Sequence, residues 1–107
     1  MPYVVTTFHY PVDQSEEAVK LAYEAMKKYP HDEGLSDALV QGVSRRTENG
    51  MKAMTIYSVK NGKLEEMLAI IEKRMALFRN LSGYNSQTEI WMTFQEGLEA
   101  LDLKPSA

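Results

Sequence analysis

Apolar residues between Lys63 and Leu81 recur at the spacing of an α-helix. At about 100° per residue, one face of that helix carries Leu64, Met67, Leu68, Ile71, Met75 and Phe78. A second apolar ridge beside it is made of Ile70, Leu77 and Leu81, with Arg74 between them. The pattern predicts a long helix whose main face is buried. The ridge has two explanations that the sequence leaves open: cover by the terminal residues Leu98 and Leu101, or a contact in an oligomer.

Four shorter segments are rich in β-branched and aromatic residues, which is typical of strands. They are Tyr3–Tyr10, Asp37–Arg46, Lys52–Val59 and Gln87–Phe94. Between the first two, a helical pattern runs to Tyr29, with a buried side predicted to consist of Ala18, Val19, Ala22, Ala25, Met26 and Tyr29. A short terminal helix is predicted over Glu96–Leu103, followed by a frayed tail.

Residues that start and stop secondary structure separate these segments. Asp13 and Glu16 have the spacing of a capping box at the start of the first helix, and Pro30 stops that helix. Asn-Gly ending at Gly50 predicts a type I′ hairpin between the second and third strands. The third strand is therefore predicted to pair antiparallel with the second. Gly83 is expected to lie just past the end of the long helix.

The resulting order is β-α-β-β-α-β. Right-handed crossovers place both helices on one face of a four-stranded antiparallel sheet, which is a ferredoxin-like α+β fold. The length of 107 residues fits a single domain over residues 1–107, in which residues 95–107 form the short terminal helix and tail.

This arrangement leaves one face of the sheet without helices. Strand alternation places Glu89, Trp91, Thr93 and Gln95 of the last strand on that open face, with Ile90, Met92 and Phe94 facing the helices. In the third strand, Met54 and Ile56 are predicted to face the helices, which leaves Ala53, Thr55, Tyr57 and Val59 on the open face. The first two strands are less decisive: we assign Tyr3, Val5, Thr7, His9, Gln41, Val43 and Arg45 to the open face, and the inverse assignment would exchange His9 for Phe8 and Tyr10. The predicted face is half apolar with several polar groups, as in a ligand pocket or an interface.

The element order, the opening MPYVVTTFHYP followed by an amphipathic helix, and the last strand EIWMTF together resemble the dimeric α/β-barrel superfamily, over Tyr3 to Phe94. That superfamily includes antibiotic-biosynthesis-type monooxygenases and stress-responsive barrel proteins. The resemblance implies two sheets that face each other across a homodimer and close a barrel with a cavity. It implies no specific substrate, and no catalytic signature of the superfamily matches residue by residue.

Six residues of the predicted open face are candidate site residues. His9 and Glu89 are candidate catalytic groups, because an imidazole titrates near neutrality and a desolvated carboxyl can act as a base. Tyr57, Trp91, Thr7 and Arg45 are candidate ligand-binding residues. Each also has a purely structural interpretation: a hydrogen-bonded histidine at a strand end, a Glu89–Arg45 ion pair, or aromatic packing of Trp91 and Tyr57 across strands or in a dimer.

Composition excludes several classes. There is no cysteine, which excludes disulfides and thiolate zinc sites, and only two histidines are present, so we predict no metal and no cofactor. The net charge of −3 argues against a nucleic-acid partner. No apolar run approaches the roughly 20 residues that cross a bilayer and no export signal is recognisable, so we expect no membrane association and a cytoplasmic location.

Two functions from different classes remain. In the first, the protein is a homodimer or higher homo-oligomer that binds, or acts without a cofactor on, a small and partly apolar organic molecule inside the barrel. In the second, it is a structural or regulatory oligomerisation domain whose open face is consumed by the dimer, with no ligand cavity. The sequence alone does not name a reaction or a substrate.

Overall fold

A computed structural model describes residues 1–103, so the end of the predicted tail, 104–107, lies outside the described residues. The strands are β1 (Tyr3–Tyr10), β2 (Ser36–Thr47), β3 (Gly50–Val59) and β4 (Asn85–Trp91). The helices are α1 (Ser15–Lys28), α2 (Leu64–Ala76) and α3 (Phe94–Ala100), and a 3-10 turn over Val12–Gln14 precedes α1. The strands form one antiparallel sheet in the order β2-β3-β1-β4. The predicted ferredoxin-like α+β fold is confirmed.

The core lies between one face of the sheet and the two long helices, and it is divided into two clusters. The first cluster consists of Val4, Leu35, Tyr57, Val59, Met67 and Ile71. The second consists of Tyr10, Ala18, Ala25, Phe78 and Leu81. Met75 on α2 packs against both. Both helices therefore cover the same face of the sheet, as the right-handed crossovers predicted.

Helix α2 is shorter than its apolar pattern. The α-helix ends at Ala76, and the chain continues to Leu81 through tighter turns in which Phe78 N donates to Met75 O and Leu81 N donates to Phe78 O. These turns bring both Phe78 and Leu81 into the second cluster. The apolar ridge of Ile70, Leu77 and Leu81 was predicted to be covered by Leu98 and Leu101 or by another copy of the chain. Neither explanation holds for Leu81, because Leu81 is buried in the second core cluster.

The start of α1 differs from the prediction. Gln14 N donates to Pro11 O, which closes the 3-10 turn, and the α-helix then begins at Ser15 with no side-chain cap. The capping box of Asp13 and Glu16 does not form, because the extra turn displaces Asp13 from the N-cap position. Helix α1 is also rotated relative to the predicted face: Ala18 and Ala25 are buried as expected, whereas Val19 and Met26, which were predicted to be buried, are exposed.

The hairpin between β2 and β3 pairs antiparallel as predicted, but its turn is not type I′. Glu48 and Asn49 form the two-residue loop, and Gly50 pairs with Thr47 as the first residue of β3. Gly50 has a φ of 123°, and a Cβ there would lie 2.6 Å from the carbonyl oxygen of Tyr10. Glycine is thus required by the close approach of β1 as well as by the backbone conformation.

The last strand ends earlier than predicted, at Trp91, and Phe94 begins α3. Thr93 is the N-cap of α3: its Oγ1 accepts from Glu96 N at 3.1 Å, and Thr93 N donates to Glu96 Oε1 at 2.9 Å. This capping box ends β4. Phe94 therefore begins α3 instead of extending the sheet, and it is 83% exposed. No helix in residues 1–103 has the length and apolar character needed to cross a membrane.

Candidate functional site

The open face of the sheet is organised as four rows of side chains that run across the strands in the order β2, β3, β1 and β4. The rows are Arg45–Lys52–His9–Asn85, Val43–Met54–Thr7–Gln87, Val40–Ile56–Val5–Glu89 and Asp37–Ser58–Tyr3–Trp91. The two middle rows are mainly apolar. The first row is basic, and carboxylates from Asp37 and Glu89 lie toward the opposite end.

Five of the six predicted site residues lie on this face, but they do not form one site. His9 and Arg45 share the first row, on either side of Lys52. Glu89 lies two rows away from His9, which is about 13 Å along the strands at 3.4 Å per residue. Thr7 lies between those rows, and Trp91 lies beyond them, opposite Tyr3 and 55% exposed. Within one chain, His9 and Glu89 therefore cannot act on the same small molecule.

The prediction of which side of β3 faces the helices was wrong. Tyr57, which was predicted to lie on the open face, therefore lies on the buried face. Tyr57 pairs with Val4, which is fully buried beneath the helices. The Tyr57 residue is only 9% exposed. Met54 and Ile56 therefore lie on the open face. The prediction placed the more apolar pair inside, but the side chains of Tyr57, Val59 and Ala53 provide the buried face of this strand. The tyrosine can be buried because its hydroxyl has a partner, Arg74.

A cavity of about 450 Å³ lies on the helix side of the sheet, between the two core clusters. We call it the helix–sheet cavity. Its walls come from α1, α2, three strands and the segment after α1: Thr6, Phe8, Ala22, Ala25, Met26, Tyr29, Pro30, His31, Ala38, Gln41, Gly42, Thr55, Tyr57, Ile71, Arg74, Met75 and Phe78. The exposed members of this lining mark its mouth: Met26, Pro30, His31, Gln41 and Gly42.

One corner of the cavity is polar. Arg74 Nε donates to Tyr29 O at 2.9 Å, and Nη1 donates to the Tyr57 hydroxyl at 3.4 Å. The guanidinium carbon lies 6.0 Å from the centre of the Tyr57 ring. The imidazole of His31 is nearly parallel to that ring, at 17° and 6.2 Å between centres. Arg74, Tyr57 and His31 thus form a connected group on the cavity wall, which we call the polar corner.

The fold positions the polar corner from two ends. Tyr29 is the C-cap of α1, where the last carbonyl groups of a helix lack intrahelical partners and carry partial negative charge. The guanidinium of Arg74, in the last turn of α2, satisfies one of them. Pro30 prevents α1 from continuing, and His31 follows directly at the mouth. The guanidinium of Arg74, carried by the C-terminal turn of α2, is therefore held at the C-terminus of α1.

Strand β2 widens the mouth of the cavity. Its pairing with β3 shifts register between Ala38 and Val40 and again between Val40 and Val43. Gln41 and Gly42 both fall opposite Thr55 in the second shift, and both line the cavity. Gln41 is therefore not on the open face as predicted, because a bulge reverses the alternation of side chains along the strand. Gly42 has a φ of 147°, a conformation that favours glycine.

Of the polar corner, sequence reasoning found only Tyr57. Arg74 was noticed only as a cation between the apolar residues of the ridge on the long helix, and His31 was not among the candidate site residues. The signal available in the sequence was that cation itself, since a charged residue within an apolar stripe needs a partner. Within residues 1–103, no three His, Asp or Glu side chains cluster closely enough to hold a metal ion.

No protein-family profile and no curated protein sequence matches the chain. Among solved structures, it is similar to a dimeric ferredoxin-like protein from an uncultured marine organism, with 9% identity over 86% of this chain and 89% of that chain, and a TM-score of 0.45. It is also similar to a hypothetical protein from Methanocaldococcus jannascii, with 19% identity over 95% of this chain and 98% of that chain, and a TM-score of 0.36. Both likenesses are too weak to carry an argument, so the fold assignment rests on the chain's own topology.

Proposed function

We propose that this protein binds a small, partly apolar organic molecule in the helix–sheet cavity. The observation that carries the proposal is the combination of size and lining: a cavity of about 450 Å³, open at a mouth, that is lined mainly by apolar side chains and has one polar corner. Binding sites for small molecules have volumes of roughly 300–1,000 Å³ and this mixture of apolar walls and a few placed polar groups. The predicted ligand class is retained, whereas the proposed location moves from the space between two sheets to the space beneath the helices.

The apolar surface of the cavity wall supports the proposal. Removing apolar surface from water contributes roughly 25 cal/mol per Å², which a bound molecule with an apolar body would gain here. Here the gap separates the two clusters of a core that is already small. A ligand with an apolar body would fill it and contact both Ile71 of the first cluster and Phe78 of the second.

We propose binding rather than catalysis, because the polar groups of the cavity are of the kind that anchor a ligand. Arg74 and the Tyr57 hydroxyl are fixed donors, which orient a bound molecule. The two residues predicted to transfer protons, His9 and Glu89, lie on the other face of the sheet. No cofactor is needed for this function.

Native mass spectrometry of the purified protein, first under gentle and then under activating conditions, tests the proposal. We expect a small adduct that is lost on activation. Ala22→Leu adds volume inside the cavity and should abolish the adduct, whereas Ala76→Leu, at an exposed position on α2, should retain it. An adduct that persists in Ala22→Leu would contradict the location, and a wild-type protein that takes up neither native adduct nor added apolar probes would contradict the function.

A second function, homo-oligomerisation through the open face, is favoured by the four rows. We propose that a second copy of this chain covers this face, as the barrel hypothesis required. The middle rows supply apolar contacts from Val40, Val43, Val5, Met54 and Ile56. When two copies stack with their strands antiparallel, the basic row of one lies over the row of the other that contains Asp37, and Glu89 lies one row further in. This charge complementarity favours a two-fold dimer, the commonest closed symmetry.

A further inference from the structure

We infer that the ligand of the helix–sheet cavity carries a carboxylate, which the guanidinium of Arg74 binds. The inference rests on the proposed function and adds the chemical class of the ligand. It follows from three properties of Arg74: the donors it keeps free, the absence of an acidic partner within the described residues, and the neutrality of most of the surrounding wall.

The hydrogen-bonding groups of Arg74 are only partly used within the chain. A guanidinium has five N–H donors in a fixed plane. Nε–H is bound to Tyr29 O, and one N–H of Nη1 is bound to the Tyr57 hydroxyl. Three of the four terminal N–H groups therefore remain for a ligand. Tyr29 and Tyr57 also hold the guanidinium in place, which lowers the entropy lost when a ligand binds.

Arg74 has no ion-pair partner in the part of the chain that the structure describes. The ion pairs there join the N-terminal amine to Glu96, Lys20 to Glu16, and Lys63 to Glu66. A partly buried cation without an anion is unfavourable because desolvation is not offset by an opposite charge. An anionic ligand would supply that charge, and the arrangement of coplanar donors matches a carboxylate.

The rest of the lining favours one carboxylate on an apolar body. Arg74 is the only arginine or lysine among the lining residues, and the walls around it are formed by Phe8, Ile71, Met75 and Phe78. A neighbouring groove that shares Tyr29, Pro30 and His31 is lined by Lys28 and Lys73 together with Asp32 and Glu33. Its charges balance, so it adds no net attraction for a dianion such as a phosphate. A monocarboxylic acid with an alkyl or aromatic body fits both the charge and the apolar walls.

Matched probes test the inference on the intact chain. Octanoate and 1-octanol present the same alkyl body with and without the charge, and isothermal titration calorimetry gives their dissociation constants. We expect octanoate to bind the wild-type protein at least about tenfold more tightly than 1-octanol, as a charge-assisted pair predicts. In Arg74→Gln this preference should disappear, with the affinity for 1-octanol unchanged within about threefold. Lys73→Gln, which removes a neighbouring cation outside the cavity, should keep the preference.

The outcomes separate the inference from the function on which it rests. The inference that the ligand carries a carboxylate would be contradicted if the wild-type protein bound the two probes equally, or if the preference for octanoate survived in Arg74→Gln. The cavity would then remain as a binding site for neutral molecules. Failure of both probes to bind the wild-type protein would overturn the binding function and the inference together. If Arg74→Gln does not fold, the Arg74 Nε–H resonance of the wild-type protein decides: octanoate must shift it and 1-octanol must not.

Discussion

Arg74 and Tyr57, 17 residues apart in the sequence, are joined by a hydrogen bond of 3.4 Å from Nη1 to the phenol oxygen. The same guanidinium also lies over the face of the Tyr57 ring, which adds a cation–π attraction. This pair links the C-terminal turn of α2 to the inner strand β3. The second bond of Arg74, to Tyr29 O, links α2 to the end of α1. Three elements of the fold thus meet at one side chain, which also lines the cavity.

Tyr57→Phe should destabilise the folded chain by about 1 kcal/mol, because the ring stays buried while one hydrogen bond to a charged group is lost. Urea denaturation measures the change. Tyr23→Phe is the matched control: Tyr23 is 65% exposed on α1, and its change should remain within about 0.5 kcal/mol. Equal effects of the two substitutions would show that the Arg74–Tyr57 bond contributes nothing to stability.

Gly50→Ala should destabilise the protein more than Gly62→Ala. Both glycines have positive φ, 123° and 77°, so each alanine is strained by about 1–3 kcal/mol. At Gly50 the new Cβ would also lie 2.6 Å from Tyr10 O, whereas at Gly62 nothing lies within 4 Å. Thermal unfolding of the two variants gives the comparison. A Gly62 variant as destabilised as the Gly50 variant would mean that β1 relaxes freely at Tyr10.

The capping box of α3 should depend on acid. The hydrogen bond from the Thr93 backbone amide holds the pKa of Glu96 below its ordinary value of 4.5, with a further contribution from the N-terminal amine. Because the folded pKa is lowered, the carboxylate stabilises α3 above that ordinary value, and the contribution is lost as the pH falls through the folded pKa. The backbone amide shift of Thr93, followed by NMR from neutral pH downward, should report this loss.

Glu96→Gln removes the titrating group from the capping box and supplies the test. In this variant the Thr93 amide shift should no longer follow the acid titration, and α3 should be less ordered at neutral pH than in the wild-type protein. Glu99→Gln, one turn further along α3 and outside the box, should leave the Thr93 titration intact. Persistence of the titration in Glu96→Gln would assign it to another carboxyl.

Ile56→Lys should split the proposed dimer. Ile56 lies in a middle row of the open face, between Val40 and Val5, where a buried cation without a partner weakens association by about 2–5 kcal/mol. Size-exclusion chromatography with light scattering gives the mass in solution. Val19→Lys, on the exposed side of α1, is the control and should remain a dimer. A wild-type monomer at high concentration, or dissociation by Val19→Lys instead, would rule out the open face as the interface.

The open face predicted from the sequence agrees only in part with the structure, because alternation fixes which residues share a face, but not which face is buried. For β1 and β4 the choice agreed with the structure, and Thr7, His9, Glu89 and Trp91 lie on the open face. For β3 it did not, because the prediction weighed hydrophobicity alone. Burial of Tyr57 depends on Arg74, a partner on a different element that local pattern cannot identify.

The amino-acid sequence by itself determined the order and type of the elements. Periodicity distinguishes helices from strands over windows of roughly 4–18 residues, and β1 has the predicted bounds, Tyr3–Tyr10. Proline at positions 11 and 30 ends elements through its own fixed geometry, without help from the rest of the chain. With the right-handed crossover rule, these local signals were enough to predict the ferredoxin-like arrangement.

Tertiary structure alone decided the register, the end of α2 and the position of the cavity. These features depend on contacts between residues far apart in sequence, such as Gly50 with Tyr10 O and Arg74 with Tyr29 O. Their free energies come from close packing and from satisfying buried polar groups. Neither quantity exists until the elements are assembled, so the sequence could mark Arg74 as a cation that needs a partner but could not locate the helix–sheet cavity or bring Arg74 to Tyr57.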